Sequence, residues 1–209
     1  MRLKHVRGAG DKIESSSYLI KNPIEHKGKY KELFNNNNPI YIEIGMGKGT
    51  FIYENALKYP DINFIGIEKY DSVMVRAIEK VENIELNNLK FIRMDATKIE
   101  EVFDKEIDRI YLNFSDPWPK VRHEKRRLTS LNFLEKYDSI FNKEKRIIMK
   151  TDNRKLFEFS IVSFTNYDYK INEISLDLHN DEVIDNIETE YEKKFSSKGF
   201  PIYKIDVYK

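Results

Sequence analysis

Short apolar runs alternate with stretches whose apolar residues recur every three or four positions through most of the chain. Ile40-Tyr41-Ile42-Glu43-Ile44 predicts a first strand, introduced by the polar run from Asn35 to Asn38, which reads as a loop, and by Pro39. Further strands are predicted at Phe64-Ile65-Gly66-Ile67, Leu89-Lys90-Phe91-Ile92, residues 107–114 and Arg146-Ile147-Ile148-Met149-Lys150. Between them, Val73, Met74, Ala77, Ile78 and Val81 fall on one helical face, as do Leu131, Leu134, Tyr137 and Phe141. Leu156, Phe157, Ser160, Ile161 and Phe164 form another stripe, capped by Asp152 or Asn153. All three stripes read as core. Strands alternating with amphipathic helices predict an α/β domain with a mostly parallel sheet and helices on both faces. After Phe164 the alternation changes. Residues 169–178 and 201–208 read as a terminal antiparallel pair joined by the acidic segment 181–192, without a full crossover helix between them.

At 209 residues the chain has room for one domain with a sizeable core and little room for two. Residues 1–209 are therefore expected to form a single domain, with a basic arm at about 1–12. Lys and Arg number 36 against 35 Asp and Glu, so any attraction for a polyanion must come from local patches. One patch lies at the N-terminus, where Arg2, Lys4, Arg7 and Lys12 face only Asp11. The other runs from Lys120 to Arg127, with five Lys or Arg against one Glu. With no cysteine, disulfides, thiolate metal sites and a cysteine nucleophile are all excluded, which fits a reducing cytoplasm. His5, His26, His123 and His179 are scattered without metal-ligand spacing, so no metal is expected. Residues 1–10 lack the apolar segment of a signal peptide, and no apolar run approaches the roughly 20 residues needed to cross a bilayer.

The first strand runs into Glu43-Ile44-Gly45-Met46-Gly47-Lys48-Gly49-Thr50. Glycines at such a turn let backbone approach a ligand closely. Glu68 ends the second strand, 19 residues after Gly49, where an acid can accept hydrogen bonds from ribose hydroxyls. Asp95 follows the third strand, near where an adenine would lie. The glycine spacing is not the GxGxxG of dinucleotide sites, and Glu43 sits two residues before the first glycine. A carboxylate there repels a pyrophosphate but suits a cationic sulfonium or ammonium, which points to S-adenosylmethionine rather than a nicotinamide cofactor.

The fourth strand ends in Asn113-Phe114-Ser115-Asp116-Pro117-Trp118-Pro119-Lys120, where two prolines hold one carboxylate beside the only tryptophan. Arg122-His123-Glu124-Lys125-Arg126-Arg127 follows at once. An acid, a flat aromatic and a basic run together suit a site that grips a nucleobase and its phosphates. Trp118 can either stack on a base or wedge the loop in place.

With these motifs, Lys150-Thr151-Asp152-Asn153 and Thr189-Glu190-Tyr191-Glu192, the chain resembles the bacterial tRNA (guanine-N7)-methyltransferases, within the Rossmann-like class I methyltransferases, over nearly its whole length. The resemblance implies seven strands with the last pair antiparallel, and methyl transfer from S-adenosylmethionine to N7 of a guanine in the tRNA variable loop. It implies that Glu43, Glu68, Asp95 and Asp116 contact the cofactor region, beside the loop glycines Gly45, Gly47 and Gly49. Because a carboxylate can both accept from the guanine edge and favour the cationic product, Asp116 is the candidate catalytic residue, with Asp152 or Glu192 as candidates to share the base. It further implies that Lys120, Asp152, Thr189, Glu190, Tyr191 and Glu192 meet substrate, and that Arg122, His123, Glu124, Lys125, Arg126 and Arg127 meet RNA. No obligate protein partner or membrane is expected, and related proteins include monomers and homodimers.

Three rivals remain. Methylation of an exocyclic amine would call for a second proline where Trp118 stands. A non-catalytic RNA-binding module has no physical need for the glycine loop with Glu68 and Asp95. A nicotinamide oxidoreductase conflicts with the glycine spacing.

Overall fold

The computed structural model describes residues 6–181 and 186–209; part of the basic arm, with Arg2 and Lys4, and part of the acidic connection lie outside them. Seven strands form one sheet in the order β3-β2-β1-β4-β5-β7-β6. They are β1 (Ile40–Ile44), β2 (Asn63–Glu68), β3 (Leu89–Arg93), β4 (Arg109–Asn113), β5 (Arg146–Thr151), β6 (Lys170–Ser175) and β7 (Tyr203–Tyr208). The described helices are α1 (Ala9–Ser15), α2 (Tyr30–Phe34), α3 (Thr50–Lys58), α4 (Asp71–Val81), α5 (Ile99–Val102), α6 (Leu131–Ile140), α7 (Arg154–Asn166) and α8 (Glu190–Ser196).

β1 to β5 pair in parallel. Buried on both faces, they read as near-continuous apolar runs; every residue of β2 is buried. One face carries Ile42, Ile44, Ile65, Ile110, Leu112 and Met149 against α5, α6 and α7. The other carries Phe64, Phe91 and Tyr111 against α1, α3 and α4. Gly66 sits in β2 because any Cβ there would collide with Sδ of Met46, the residue inside the glycine loop. The loop is thus packed down onto the sheet.

β7 is antiparallel to both β5 and β6 and lies between them. The crossover through α7 carries the chain two strand positions beyond β5, and β7 returns into the space left between β5 and β6. β6 becomes an edge, with Ile171 and Ile174 exposed and a register shift between Ile171 and Glu173 that interrupts regular pairing. Among the described residues, the connection from β6 to β7 holds one helix, the seven-residue α8.

Two helix faces differ from the sequence expectation. Leu131 is 53% exposed, because it is the first residue of α6 and turns outward, and Phe133 packs in its stead. On α4, Val75 is buried and Val73 is only half-buried. The cap of α7 is Asn153, whose Oδ1 accepts from the Leu156 N–H at 2.9 Å. The N-terminal segment is not an extended arm from residue 9 onward: α1 buries Ala9 and Ile13 against α4, and Lys12 pairs with Glu82 at 2.8 Å. No helix among the described residues is long and apolar enough to cross a membrane.

Candidate active site

The strand order reverses between β1 and β4, and the crevice outside the carboxyl ends of such strands is where open α/β sheets bind ligands. Glu43 stands near the end of β1, Glu68 ends β2, and Asp116 lies just beyond β4. Glu43 is 2% exposed, and burial pushes its carboxyl up to about 8, against the opposing pull of the Asn113 hydrogen bond and the Lys150 charge. Glu68 is raised by burial, with Asp116 adding to the push and backbone amides resisting it. Glu68 in turn adds to the push on Glu43. The three carboxylates therefore share one electrostatic site.

Gly45, Gly47 and Gly49 all have positive φ. A Cβ on Gly45 or Gly47 would meet nothing within 4 Å, so their backbone faces open space. Gly47 donates to Glu68 Oε2 at 3.1 Å, while Glu68 Oε1 accepts from the amides of Lys69 and Tyr70. Glu43 Oε2 is buried without a hydrogen-bond partner. An open glycine backbone beside an unpartnered buried carboxylate fits a ligand with a cationic end.

Asp95 lies farther along the edge and is already engaged. It accepts from Lys69 at 2.6 Å and from the Thr97 amide at 3.0 Å, which hold its carboxyl down at about 2.

The loop after β4 is strained and clamped. Phe114 and Trp118 have φ of 51° and 41°, in the left-handed region that non-glycine residues rarely adopt. Arg127 offsets this: its Nε donates to the Pro117 carbonyl at 3.1 Å and its Nη2 to the Trp118 carbonyl at 3.2 Å. The Arg126 guanidinium lies 4.9 Å from the centre of the Trp118 ring, and the edge of His123 meets that ring at 5.7 Å. Asp116 is exposed and accepts no hydrogen bond among the described residues. It caps no local amide, so a turn-forming role does not account for it. Lys120, Arg122, Glu124 and Lys125 are exposed around it on a 3-10 turn from Val121 to Arg126.

Thr189 to Glu192 come back to this edge, but only some of them face outward. Glu192 is fully buried, accepting from Lys150 at 2.5 Å, Asn186 at 2.6 Å and the Thr189 amide at 3.3 Å. Thr189 Oγ1 accepts from the Glu192 amide, completing a capping box on α8. Glu190 accepts from Lys48 at 2.7 Å and Thr50 at 2.9 Å, fastening this segment to the start of α3. Tyr191 is exposed and packs on Phe114, ring centres 4.9 Å apart. Asp152 is half-buried and raised by burial, and the Tyr191 phenol is raised by its own burial with the Asp152 charge adding to it. Of the four, Tyr191 alone presents its side chain toward the Asp116 loop; Thr189, Glu190 and Glu192 are held by internal bonds.

Among the described residues His179, Glu188 and Glu192 converge within 4.8 Å, but the Lys150 ammonium already neutralises Glu192 there. A cavity lined by Tyr41, Phe51, Arg109 and Tyr111 also reaches Asn113 and Lys150.

Asn113 and Lys150 join these parts. Asn113 Nδ2 donates to Glu43 Oε1 at 2.9 Å, Asn113 is in register with Lys150, and the Lys150 carbonyl accepts from the Phe114 amide at 2.8 Å. Sequence reasoning singled out neither as a site residue. Their signal was a polar side chain closing an otherwise apolar, doubly covered strand.

Residues 37–205 match the family described as putative methyltransferase. The chain is 52% identical to the tRNA (guanine-N(7)-)-methyltransferase of Lachnoclostridium phytofermentans, over 98% of this chain and 97% of that one. It is 53% identical to the protein of the same name from Bacillus cytotoxicus, over 99% and 96%. Among solved structures, an antibiotic-related methyltransferase superposes with a TM-score of 0.66 at 18% identity, covering 87% of this chain and 92% of that one. A 16S rRNA (adenine(1408)-N(1))-methyltransferase from Catenulisporales acidiphilia, solved with its cosubstrate SAM, gives 0.63 at 10% identity, over 90% and 92%. At those identities the structural likeness concerns the fold.

Proposed function

The chain belongs to the tRNA (guanine-N7)-methyltransferase family, and on that premise we propose that it methylates N7 of a guanine in the tRNA variable loop, with Asp116 as the acid beside the reacting base. The observation that carries the assignment is the convergence of Glu43, Glu68 and Asp116 at the strand-order reversal, with Asp116 the exposed member of the three and free of hydrogen bonds among the described residues.

S-adenosylmethionine, when bound, supplies an electrophilic methyl group on a sulfonium. On this side, Gly45 and Gly47 offer open backbone, while Gly49 turns the chain into α3 in close contact with Ala77. Glu68 offers carboxylate oxygens to ribose hydroxyls, and Glu43 offers negative charge to a cationic end. Asp95 closes the adenine end through its bond to Lys69.

Guanine N7 carries an in-plane lone pair, so no proton has to leave before it attacks. The protein's task is alignment and accommodation of the positive charge that moves onto the base. Asp116 serves both ends: it accepts from the N1–H and N2 amino edge, and it favours the cationic product. Tyr191 packs on Phe114 of the same loop with Asp152 near its phenol, while Thr189, Glu190 and Glu192 hold Tyr191 in place. Lys120 and the exposed cations of the 120–127 run supply phosphate contacts, which offset the few kcal/mol needed to unstack the base. A protein of this kind works on tRNA in the cytoplasm, alone or as a homodimer.

The test is incubation with labelled S-adenosylmethionine and unmodified tRNA, followed by nucleoside mass analysis. The expected product is 7-methylguanosine. N6-methyladenosine or N2-methylguanosine would overturn the assignment and favour exocyclic-amine chemistry.

A further inference from the structure

Four aromatic rings lead away from the Asp116 loop along the surface. Phe114 packs on Tyr191, Tyr191 stacks on Phe195 with ring centres 4.3 Å apart and planes 17° from parallel, and Phe195 meets Phe200 at 5.8 Å. Tyr191 is 43% exposed and Phe200 53%, an uncommon position for large rings that have no core to join. Lys194 and Lys198 both lie over the Phe195 ring, at 5.9 and 5.7 Å. Among the described residues neither of these lysines pairs with a carboxylate, whereas Glu190 and Glu192 on the same helix are consumed by Lys48 and Lys150. The outer face of α8 is therefore cationic as well as aromatic.

Stacked rings interleaved with unpaired cations form a platform for unpaired nucleotides, because every base has a flat face and every linkage a negative charge. The need for such a platform follows from the substrate. A guanine inside a loop has backbone leaving it in two directions, and Asp116 stands between Phe114 and Trp118. The Trp118 side carries Arg126 and the 120–127 run. The Phe114 side carries Tyr191 and the ladder behind it.

We propose that Tyr191, Phe195 and Phe200, with Lys194 and Lys198, form a second RNA-binding surface that stacks and neutralises the unpaired tRNA nucleotides on one flank of the target guanine. The proposal rests on the tRNA-methyltransferase reading and deepens it.

Two variants test it, with unmodified tRNA titrated from about 50 to 200 mM salt. In Lys194→Ala/Lys198→Ala, the log–log salt slope of tRNA binding falls by about 0.7 for each lost contact. In Phe200→Ala, affinity falls roughly fivefold or more while the slope stays parental, because stacking releases no counterions. Cofactor affinity and melting temperature are unchanged in both. If the parent binds and methylates tRNA but both variants bind within about twofold of it on an unchanged slope, the surface is overturned while the functional reading stands. If the parent itself does not bind tRNA, the functional reading falls, and this surface with it.

Discussion

Asn113 donates to the buried carboxylate of Glu43 at 2.9 Å and so ties the end of β4, where the Asp116 loop begins, to the end of β1, where the glycine loop begins. Glu43 has no other hydrogen-bonding side-chain partner, and its second oxygen is left without one. The cofactor loop and the chemistry loop are thus held at one fixed spacing by a group whose own ionisation is poised.

That poise gives a pH prediction. Burial raises the Glu43 carboxyl to about 8, so its share of stability is fully present below the ordinary carboxyl range and is lost as pH rises through about 8. Between pH ~4.5 and ~8, Glu43→Gln should flatten the fall of unfolding free energy by up to about 1.4 kcal/mol per pH unit. Urea titrations of both proteins at several pH values read the difference, and a constant gap would mean that Glu43 is ionised throughout. A cationic ligand should restore the carboxylate, so S-adenosylmethionine affinity should rise with pH over this window in the parent and not in the variant. Calorimetry in buffers of different ionisation enthalpy would detect the released proton.

The basic run divides into clamps and contacts. Arg127 spends its guanidinium on the Pro117 and Trp118 carbonyls and rests on the Phe159 ring at 4.3 Å. Arg127→Ala should therefore lower turnover by loosening the Asp116 loop while leaving the salt slope of tRNA binding parental. Arg122→Ala/Lys125→Ala should do the reverse: the slope falls by about 0.7–0.9 per contact, and turnover at saturating tRNA holds. Equal slopes in all three proteins would make the run a solvated face.

This division marks where sequence reading runs out. The five central strands were legible because a strand covered on both faces must be apolar along its length, as Ile40, Ile42 and Ile44 are. The acids at the strand ends were legible because Glu43 and Glu68 interrupt those runs. The inward turn of Glu192 was not: Thr189-Glu190-Tyr191-Glu192 has three polar residues in a row of four, and only the capping box and Lys150 decide which of them leaves solvent. Nor does a run of like charges disclose that one of its arginines bends back onto carbonyls behind it.

Glu192 should behave as a support. Glu192→Gln keeps the size and two acceptor directions but leaves the Lys150 ammonium buried without its counter-charge, a loss of about 3–5 kcal/mol. Lys150→Met/Glu192→Met, an apolar pair of similar volume, should recover most of that stability in denaturant titrations and most of the turnover with it. A double variant that is as stable as the parent yet inactive would instead put the Glu192 carboxylate in contact with the base.

Asp116 should show the opposite pattern. Its side chain is exposed and accepts no hydrogen bond among the described residues, so Asp116→Asn removes none of their internal bonds and the melting temperature should not fall. Asn keeps the size and one acceptor but cannot balance the positive charge arriving on guanine. Turnover on unmodified tRNA should drop by about 10²–10³, the scale for losing one preorganised electrostatic partner. Cofactor affinity should change far less, because Glu68 and the glycine loop remain intact, with loss of the Asp116 charge easing the upward push on Glu68. Single-turnover rates with pre-bound tRNA separate the chemical step from binding. If that rate stays near parental, charge at this position is not what stabilises the transition state, and Asp152, half-buried beside Tyr191, becomes the acid to change next.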